Sequence, residues 1–224
     1  MLSFIGGTGP EGLGLAFSFL LAGHDVVIGS RSAERASAAG DKLTEMLAAV
    51  PAGKAGSNVG KASGMENGPA VAAGDVVIIT VPYSGQADIL AALKDEIGNK
   101  LVVDTVVPVL FAKGKITAIP VDEGSAAEQA QAVLPNATVV SAFQNLSAET
   151  LMDPNERIDC SVVVCGDDKE ARARVMDLAE EVDGIHAVNG GGLANSRYVE
   201  DFTTLILNIN RIYKSHASLK IVGL

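Results

Sequence analysis

The chain has 224 residues, of which 48% are hydrophobic and 20% are charged, and its formal net charge is −10 at pH 7. This profile is typical of a globular protein with enough length for a substantial core, and the negative charge argues against nucleic acid and anionic membranes as general partners. The sequence has neither an apolar run of membrane-spanning length nor the basic lead of a signal peptide, so we expect a cytoplasmic protein.

The first thirty-one residues follow a strand, turn, helix and strand pattern. A short apolar run precedes a glycine-rich segment, an apolar helical pattern follows, and a second apolar run ends at Arg31. Three of the glycines match G-x-G-x-x-G, the spacing that brings backbone and a helix N-terminus close to a pyrophosphate: Gly7, Gly9 and Gly12. We predict a dinucleotide site here, the alternative being a glycine-rich turn kept only for packing.

The end of the second apolar run indicates which dinucleotide is bound. NAD sites usually place an Asp or Glu there for the ribose hydroxyls. This chain instead has Ser30, Arg31 and Ser32, with Arg35 one turn into the next helix. Two guanidinium groups and two hydroxyls suit a dianionic phosphate, so we predict NADP. The alternative is a pair of solvated surface arginines.

Apolar runs and helical patterns alternate through the middle of the chain. Strand alternating with helix at this pace predicts an α/β fold, a Rossmann-type doubly wound parallel sheet. The predicted strands lie near Ser57–Lys61 and over 75–82, 100–107 and 137–143, and the predicted helices over 31–50, 86–97 and, from a Ser125–Glu128 capping box, to Pro135.

The last third predicts a strand over 161–165, a helix, a short strand over 185–188 and a long helix over 193–213. Apolar residues cover much of the circumference of that helix, which therefore needs partners on several sides. Either a second subunit or other parts of the same monomer could cover this apolar surface. One stripe comprises Tyr198, Phe202, Leu205, Ile209 and Ile212, and a second comprises Val199 and Ile206.

Residues that could hold a metal or move a proton are few. Cys160 and Cys165 lack metal-ligand spacing with any histidine, so we expect reduced, buried thiols and no metal site. The chain has three histidines, of which His24 and His186 fall at a turn and in a short strand and are interpreted as structural.

Motifs along nearly the whole chain resemble the F420H2:NADP oxidoreductases, which are NADPH-dependent reductases of the deazaflavin coenzyme F420. They are G-G-T-G-x-x-G at 6–12, G-S-R at 29–31, T-V-P at 80–82, V-P-V at 107–109, S-A-A-E at 125–128, V-S-A at 140–142, V-C-G-D-D at 164–168 and N-S-R-x-V-E at 195–200.

This resemblance implies hydride transfer between NADP(H) and F420, with no catalytic acid or base, in a homodimer. It implies an NADP-binding domain over 1–145 and a small C-terminal α/β domain over 146–224 that closes the substrate cleft and contributes to dimerisation. The cofactor-binding residues would be Gly7, Thr8, Gly9, Gly12, Ser30, Arg31, Arg35, Val81, Pro82 and Ala148, of which Thr8, Ser30, Arg31 and Arg35 hold the 2′-phosphate and Pro82 and Ala148 lie beside the nicotinamide.

The acceptor pocket is where this chain departs from the family. The family commonly has a histidine after V-S-A, and this chain has Gln144, which can donate a hydrogen bond but carries no proton at neutral pH. The predicted pocket comprises Pro108, Gln144, Leu146, Leu193, Asn195 and Ser196, with Val107 as a further wall and Arg197 and Lys113 as cations for the F420 tail. Another acceptor, such as a flavin, imine or carbonyl, and a non-enzymatic NADPH sensor are the alternatives.

Overall fold

A computed structural model describes residues 1–51, 58–156 and 158–224. Its strands are β1 (Leu2–Ile5), β2 (Val26–Ser30), β3 (Ala62–Glu66), β4 (Val76–Ile79), β5 (Leu101–Asp104), β6 (Val109–Ala112), β7 (Lys115–Ala118), β8 (Thr138–Ser141), β9 (Cys160–Gly166) and β10 (Ile185–Gly191). Its helices are α1 (Pro10–Leu21), α2 (Ala33–Ala48), α3 (Asn67–Ala73), α4 (Tyr83–Ala92), α5 (Lys94–Ile97), α6 (Ala126–Val133), α7 (Ala148–Met152), α8 (Lys169–Glu180) and α9 (Ser196–Tyr213).

Eight strands form one sheet in the order β10-β9-β8-β5-β4-β1-β2-β3, which confirms the Rossmann-type α/β fold. Neighbouring strands are parallel except β8 and β9, which pair antiparallel through Val140 with Gly166 and Ser141 with Cys165. The sheet is thus parallel as predicted, apart from this one junction. The connection there carries only the five-residue α7, and an antiparallel neighbour needs no long crossover helix.

Both faces of the sheet are covered, because successive strand residues point to opposite sides. Phe4 belongs to a core cluster with Leu15 of α1 and Val175 of α8. Its neighbour Ile5 belongs to a second cluster with Leu90 of α4 and others from α3 and α6. The continuous apolar runs of the sequence are therefore strands buried on both faces.

Several predicted boundaries need correction. The strand predicted near Ser57–Lys61 begins at Ala62, and Ser57 itself lies outside the described residues. The helix predicted over 86–97 begins at Tyr83, directly after Pro82, and is interrupted at Leu93, where φ is −108° and ψ is 8°.

A β-hairpin formed by β6 and β7 was not among the predicted elements. Its turn contains Gly114 at φ +80°, a conformation that glycine adopts without strain. Asn208 of α9 donates a hydrogen bond to the carbonyl of Ile116 at 2.9 Å, so the hairpin lies against the last helix.

The long helix predicted over 193–213 begins three residues later, at Ser196. Gly190 and Gly191 belong to β10, and one 3₁₀ turn, Leu193–Asn195, precedes α9. Residue 190 is a glycine because there is no room for a side chain: a Cβ there would lie 2.5 Å from the Sγ of Cys165.

The predicted division into domains at 145/146 stays a prediction. The sheet crosses it, since β9 and β10 extend the same eight-stranded sheet beyond β8. No helix within the described ranges combines the length and apolarity needed to cross a bilayer.

Candidate functional site

The candidate site lies at the carboxyl ends of β1, β2 and β4. Strands β2 and β3 follow β1 on one side of the sheet, and the chain then crosses back so that β4 and β5 extend the sheet on the other side of β1. In an open sheet of this kind, such a reversal leaves a crevice beyond the strand ends where ligands bind.

The turn between β1 and α1 presents a helix N-terminus to this crevice. Gly9 is the N-cap of α1, Pro10 follows it, and no side chain caps the first turn. The first amide groups of a helix have no partner inside the helix, so they are available to an anion.

The three motif glycines differ in what surrounds them. A Cβ on Gly12 would lie 2.5 Å from the Cα of Gly7 and 2.8 Å from the Oγ1 of Thr80, and one on Gly7 would lie 2.7 Å from the Cβ of Phe4. A Cβ on Gly9 would meet nothing within 4 Å. Packing explains Gly7 and Gly12, whereas the open space at Gly9 fits the close approach of a pyrophosphate.

The end of β2 and the start of α2 supply the predicted phosphate residues. Ser30 is buried and its Oγ accepts from the amide of Ser32 at 3.3 Å. Ser32 is the N-cap of α2 and accepts from the amide of Arg35 at 3.3 Å. Arg31 and Arg35 are exposed, and neither forms an ion pair with a described residue. Both guanidinium groups are therefore available to an anionic ligand.

A cavity of about 700 Å³ joins these residues to the end of β4. This size lies in the range of ligand pockets in proteins. It brings together most of the predicted NADP residues and adds one face of α4 that the sequence interpretation missed. Its lining includes Gly6, Thr8, Ser30, Arg31, Ser32, Arg35, Asn67, Val81, Pro82, Ser84, Asp88 and Ile89.

Ala148 does not line this cavity. It begins α7, where its carbonyl oxygen lies 2.9 Å from the position of a Cβ on Gly14 of α1. The nicotinamide contact predicted for Ala148 therefore stays a prediction, placed at the junction of α1 and α7.

Gln144, the residue at which this chain departs from the family, is buried directly after β8. Phe143 at φ 72° turns the chain after β8, and Gln144 is buried, with its Nε2 donating to the Oγ of Ser141. Its Oε1 is inaccessible to solvent and has no hydrogen-bond partner among the described residues. A buried amide oxygen without a partner is costly, and a ligand donor would satisfy it.

The other predicted pocket residues do not all come together. Leu146 packs in the core cluster beside α1, whereas Leu193 packs in the cluster beside α4 and α6. Ser196 is buried beside the thiol of Cys165, and Asn195 is exposed and donates to the carbonyl of Gly190 at 2.7 Å. Pro108 is buried at the start of the hairpin, and its carbonyl accepts from Ile119 at 2.7 Å.

The cations predicted for an F420 tail are both exposed. Arg197 lies 4.0 Å from a carboxylate oxygen of Glu128 and 5.9 Å from the centre of the Tyr198 ring. Lys113 occupies the hairpin turn. Their contact with a tail stays a prediction.

Two buried carboxyl groups near the cleft were missed by sequence reasoning. Asp104 accepts from the amide of Val106 at 2.8 Å and from Gln86, and burial raises its pKa to about 7. Glu200 of α9 accepts from the amides of Ala126 and Ala127, and burial, with the charge of Asp104 as a smaller cause, raises its pKa to about 8. Their partners lie far apart in sequence, so no local pattern indicates them.

The remaining polar candidates lie away from the cavity. His24 pairs with Glu181, and His186 is exposed on β10. Cys160 and Cys165 are buried and free. Within the described ranges, no group of His, Cys, Asp and Glu is arranged to hold a metal ion.

Comparison with known proteins agrees with this geometry. Residues 1–108 match the family model described as NADP oxidoreductase coenzyme F420-dependent. The chain is 39% identical over 228 residues to the F420-dependent NADP reductase of Methanothermobacter thermautotrophicus, covering 100% of this chain and 95% of that protein. It is 40% identical over 217 residues to the F420-dependent NADP reductase of Methanocaldococcus jannaschii, covering 96% of this chain and 94% of that protein.

A solved structure from Arthrobacter sp. FB24 has the same fold. It superposes with a TM-score of 0.79 and 24% sequence identity, covering 99% of both chains. At this level of identity the likeness concerns the fold alone.

Proposed function

The chain belongs to the family of F420-dependent NADP reductases, and we propose that it transfers a hydride between NADP(H) and coenzyme F420 in the crevice beyond β1 and β4. The observation that carries this proposal is the combination of end-to-end similarity with a cavity lined by Arg31, Arg35 and Pro82, whose two arginines form no ion pair with a described residue.

The NADP half of the site follows from the residues around the cavity. Arg31 and Arg35, with the hydroxyls of Ser30 and Ser32, hold the 2′-phosphate through charge-assisted hydrogen bonds. Thr8 is proposed to contact the 2′-phosphate as well, and the free amides after Gly9 bind the pyrophosphate at the N-terminus of α1. Val81 and Pro82 then lie toward the nicotinamide end.

The acceptor half is assigned to the segment after β8 and the start of the hairpin. The amide of Gln144, with its unpartnered Oε1, faces the edge of the acceptor ring, and Pro108 supplies an apolar wall. Leu146, Leu193, Asn195 and Ser196 belong to the same proposal as surrounding residues. Arg197 and Lys113 are proposed for the anionic tail.

The two ligands supply the hydride chemistry, which passes from carbon to carbon and needs no protein acid or base. The protein contributes by holding the two rings at contact distance, about 3–3.5 Å between reacting carbons, and by excluding water.

We also propose that a second copy of the chain covers α9. Its outer stripe is apolar yet exposed, with Tyr198 65%, Leu205 51% and Ile212 68% accessible. The hairpin beside it exposes Leu110 and Phe111. The stripe of Val199 and Ile206 is buried within the monomer instead. An apolar helix face that pairs with its own copy about a two-fold axis removes this surface from water.

The dimer is tested with Phe202→Glu, because an unpaired charge in a packed interface is costly. Light scattering is expected to show a dimer for the wild type and a monomer for this variant. Ala173→Glu, which places the same charge at an exposed position of α8, is the matched control and should remain dimeric. A monomeric wild type at micromolar concentration would contradict the dimer.

A cytoplasmic location is part of the same proposal. It is supported by the two buried, free cysteines, which suit a reducing compartment.

The choice of acceptor is tested by incubating the protein with NADPH and, in separate reactions, F420, FMN and a cyclic imine. We expect loss of the visible absorbance of oxidised F420 with little turnover of the other two. Reduction of the imine or FMN in place of F420 would overturn the acceptor and keep the NADPH site, whereas NADPH binding without any reduction would indicate a sensor.

A further inference from the structure

Asn67 places a buried amide in the wall of the cofactor cavity. It directly follows β3 as the first residue of α3, and its relative exposure is 7%. It lines the same cavity as Ser30, Arg31 and Arg35. Its Oδ1 is inaccessible to solvent and has no hydrogen-bond partner among the described residues. A buried amide oxygen without a partner is costly, so we expect a group bound in the cavity to supply a donor.

The amide of Asn67 lies over β2, the strand that leads to the predicted phosphate residues. A Cβ on Gly29 would lie 2.8 Å from the Oδ1 of Asn67, 3.0 Å from the side chain of Ile5 and 3.2 Å from the carbonyl of Phe4. Gly29 pairs with Ile5 of β1 and immediately precedes Ser30. The amide therefore lies beside the ends of both strands, between the glycine turn that follows β1 and the segment that follows β2.

The order of the groups in NADP(H) matches this placement. In the proposed function, the glycine turn after β1 binds the pyrophosphate, and Ser30, Arg31 and Arg35 hold the 2′-phosphate. The adenosine ribose joins these two groups through its 5′ and 2′ oxygens, so it lies between them. Because the 2′ oxygen carries the phosphate, the 3′-hydroxyl is the free hydroxyl donor of this ribose.

The charges around this ribose favour a neutral acceptor. NAD sites usually place an Asp or Glu at the end of the second strand for the ribose hydroxyls. A carboxylate in that place would repel a dianionic 2′-phosphate. This chain has Ser30, Arg31 and Ser32 there, and the amide oxygen of Asn67 is an acceptor without negative charge. Asp88 of α4 also lines the cavity, but its side chain is exposed and has water as a partner.

Resting on the proposed function, we propose that Asn67 is a cofactor-binding residue whose Oδ1 accepts a hydrogen bond from the 3′-hydroxyl of the adenosine ribose. Its neutral amide also contributes to the preference for NADP(H) over NAD(H). The last torsion of an asparagine side chain is broad, so the amide can turn its oxygen toward the ribose without strain. NAD(H) carries the same 3′-hydroxyl, so the hydrogen bond serves both cofactors, whereas the absence of charge matters for NADP(H) alone.

The hydrogen bond is tested with adenosine 2′,5′-bisphosphate and its 3′-deoxy analogue, which contain the ribose and phosphates but no nicotinamide. Each compound is titrated calorimetrically into the wild type and into Asn67→Ala. Loss of the 3′-hydroxyl should weaken binding to the wild type about three- to tenfold, the usual worth of a neutral hydrogen bond. The same loss should have little effect on Asn67→Ala, which already lacks the acceptor. A residue with a purely structural role would leave the effect of the 3′-hydroxyl unchanged.

The role of the missing charge is tested with Asn67→Asp, which keeps the shape of the side chain and adds a carboxylate. Binding of NADPH should weaken at least about tenfold relative to binding of NADH, because the carboxylate repels the 2′-phosphate but still accepts from a ribose hydroxyl. Asn136→Asp, in the exposed turn before β8, adds the same charge and is the matched control. It should leave the ratio of the two affinities unchanged.

An equal effect of the 3′-hydroxyl in the wild type and Asn67→Ala would overturn the hydrogen bond. An unchanged ratio of NADPH to NADH affinity in Asn67→Asp would overturn the role of the neutral amide. Both results leave the proposed function intact, provided that the wild type binds NADPH. Failure of the wild type to bind either NADPH or the bisphosphate would overturn the inference and the proposed function together. Thermal melting verifies that each variant is folded.

Discussion

The Cα of Gly7 lies 2.5 Å from the place where a Cβ on Gly12 would be, so the two glycines of the turn leave room only for hydrogen between them. A Cβ on Gly9, between them in the chain, would lie more than 4 Å from every other described residue apart from its chain neighbours. The same motif therefore contains glycines that the fold requires and one that the fold does not require.

Gly12→Ala and Gly9→Ala should separate these roles. Gly12→Ala forces the turn away from Gly7 and Thr80, and overpacking of this kind costs about 1–3 kcal/mol of the free energy of unfolding. Gly9→Ala should leave the melting temperature unchanged and weaken NADPH binding, because its methyl group enters the space of the pyrophosphate. Differential scanning calorimetry measures the stability of each variant, and isothermal titration calorimetry measures its binding of NADPH. Equal loss of stability in both variants would contradict the distinction.

Replacing Arg31 and Arg35 together by Ala should weaken NADPH binding at least tenfold and leave NADH nearly unaffected. Each charged hydrogen bond to the 2′-phosphate is worth about 1.5–3 kcal/mol, and NADH lacks that phosphate. Fluorescence titration of both cofactors gives the comparison. Lys169→Ala combined with Arg174→Ala, two exposed cations on α8, is the control for the loss of two positive charges. An equal loss of affinity for the two cofactors would contradict the assignment of Arg31 and Arg35 to the 2′-phosphate.

Gln144→Ala should lower turnover with F420 and spare the binding of NADPH. The substitution removes the only buried amide that we place at the acceptor ring, together with its bond to Ser141. Gln131→Ala is the matched control, because Gln131 bonds to the carbonyls of Leu134 and Ala137 and also loses internal hydrogen bonds. If F420 turnover falls equally in both variants, the effect is one of stability and the pocket assignment is wrong.

The free energy of unfolding should fall as pH rises, and Glu200→Gln should flatten the fall. Burial raises the pKa of Glu200 from 4.5 to about 8 in the folded chain, so between these values the folded state holds a proton that the unfolded state has released. Stability is then greatest at the acid end of the window and declines until about pH 8. Urea denaturation at a series of pH values measures it, with Glu149→Gln as the exposed control. Identical slopes for wild type and Glu200→Gln would refute it.

The sequence signals of the predicted dinucleotide site are local. The apolar strands, the glycine spacing and the basic end of β2 lie within short segments, and the structure places Ser30, Arg31, Arg35 and Pro82 around one cavity. The hairpin of β6 and β7 was not predicted, although a local signal for it exists: Lys113 and Gly114 separate two runs of strand-forming residues.

The features that could not be predicted depend on contacts between residues that are distant in sequence. The direction of β9 relative to β8 depends on the path of the chain after α7. The residue pattern of a strand does not indicate its direction, so the antiparallel pairing could not be predicted. Leu146 and Leu193 are both apolar and both near family motifs, yet they face different core clusters. Glu200 is buried because it caps α6, a helix that begins 74 residues earlier at Ala126.

Direct hydride transfer is tested most directly with NADPH carrying deuterium at C4 of the nicotinamide, on the face that the enzyme uses. Mass spectrometry of the reduced F420 formed in ordinary water should then find one deuterium, and the transfer step should slow relative to unlabelled NADPH. Reduced F420 without deuterium, its hydrogen drawn from solvent, would contradict a carbon-to-carbon transfer in this site.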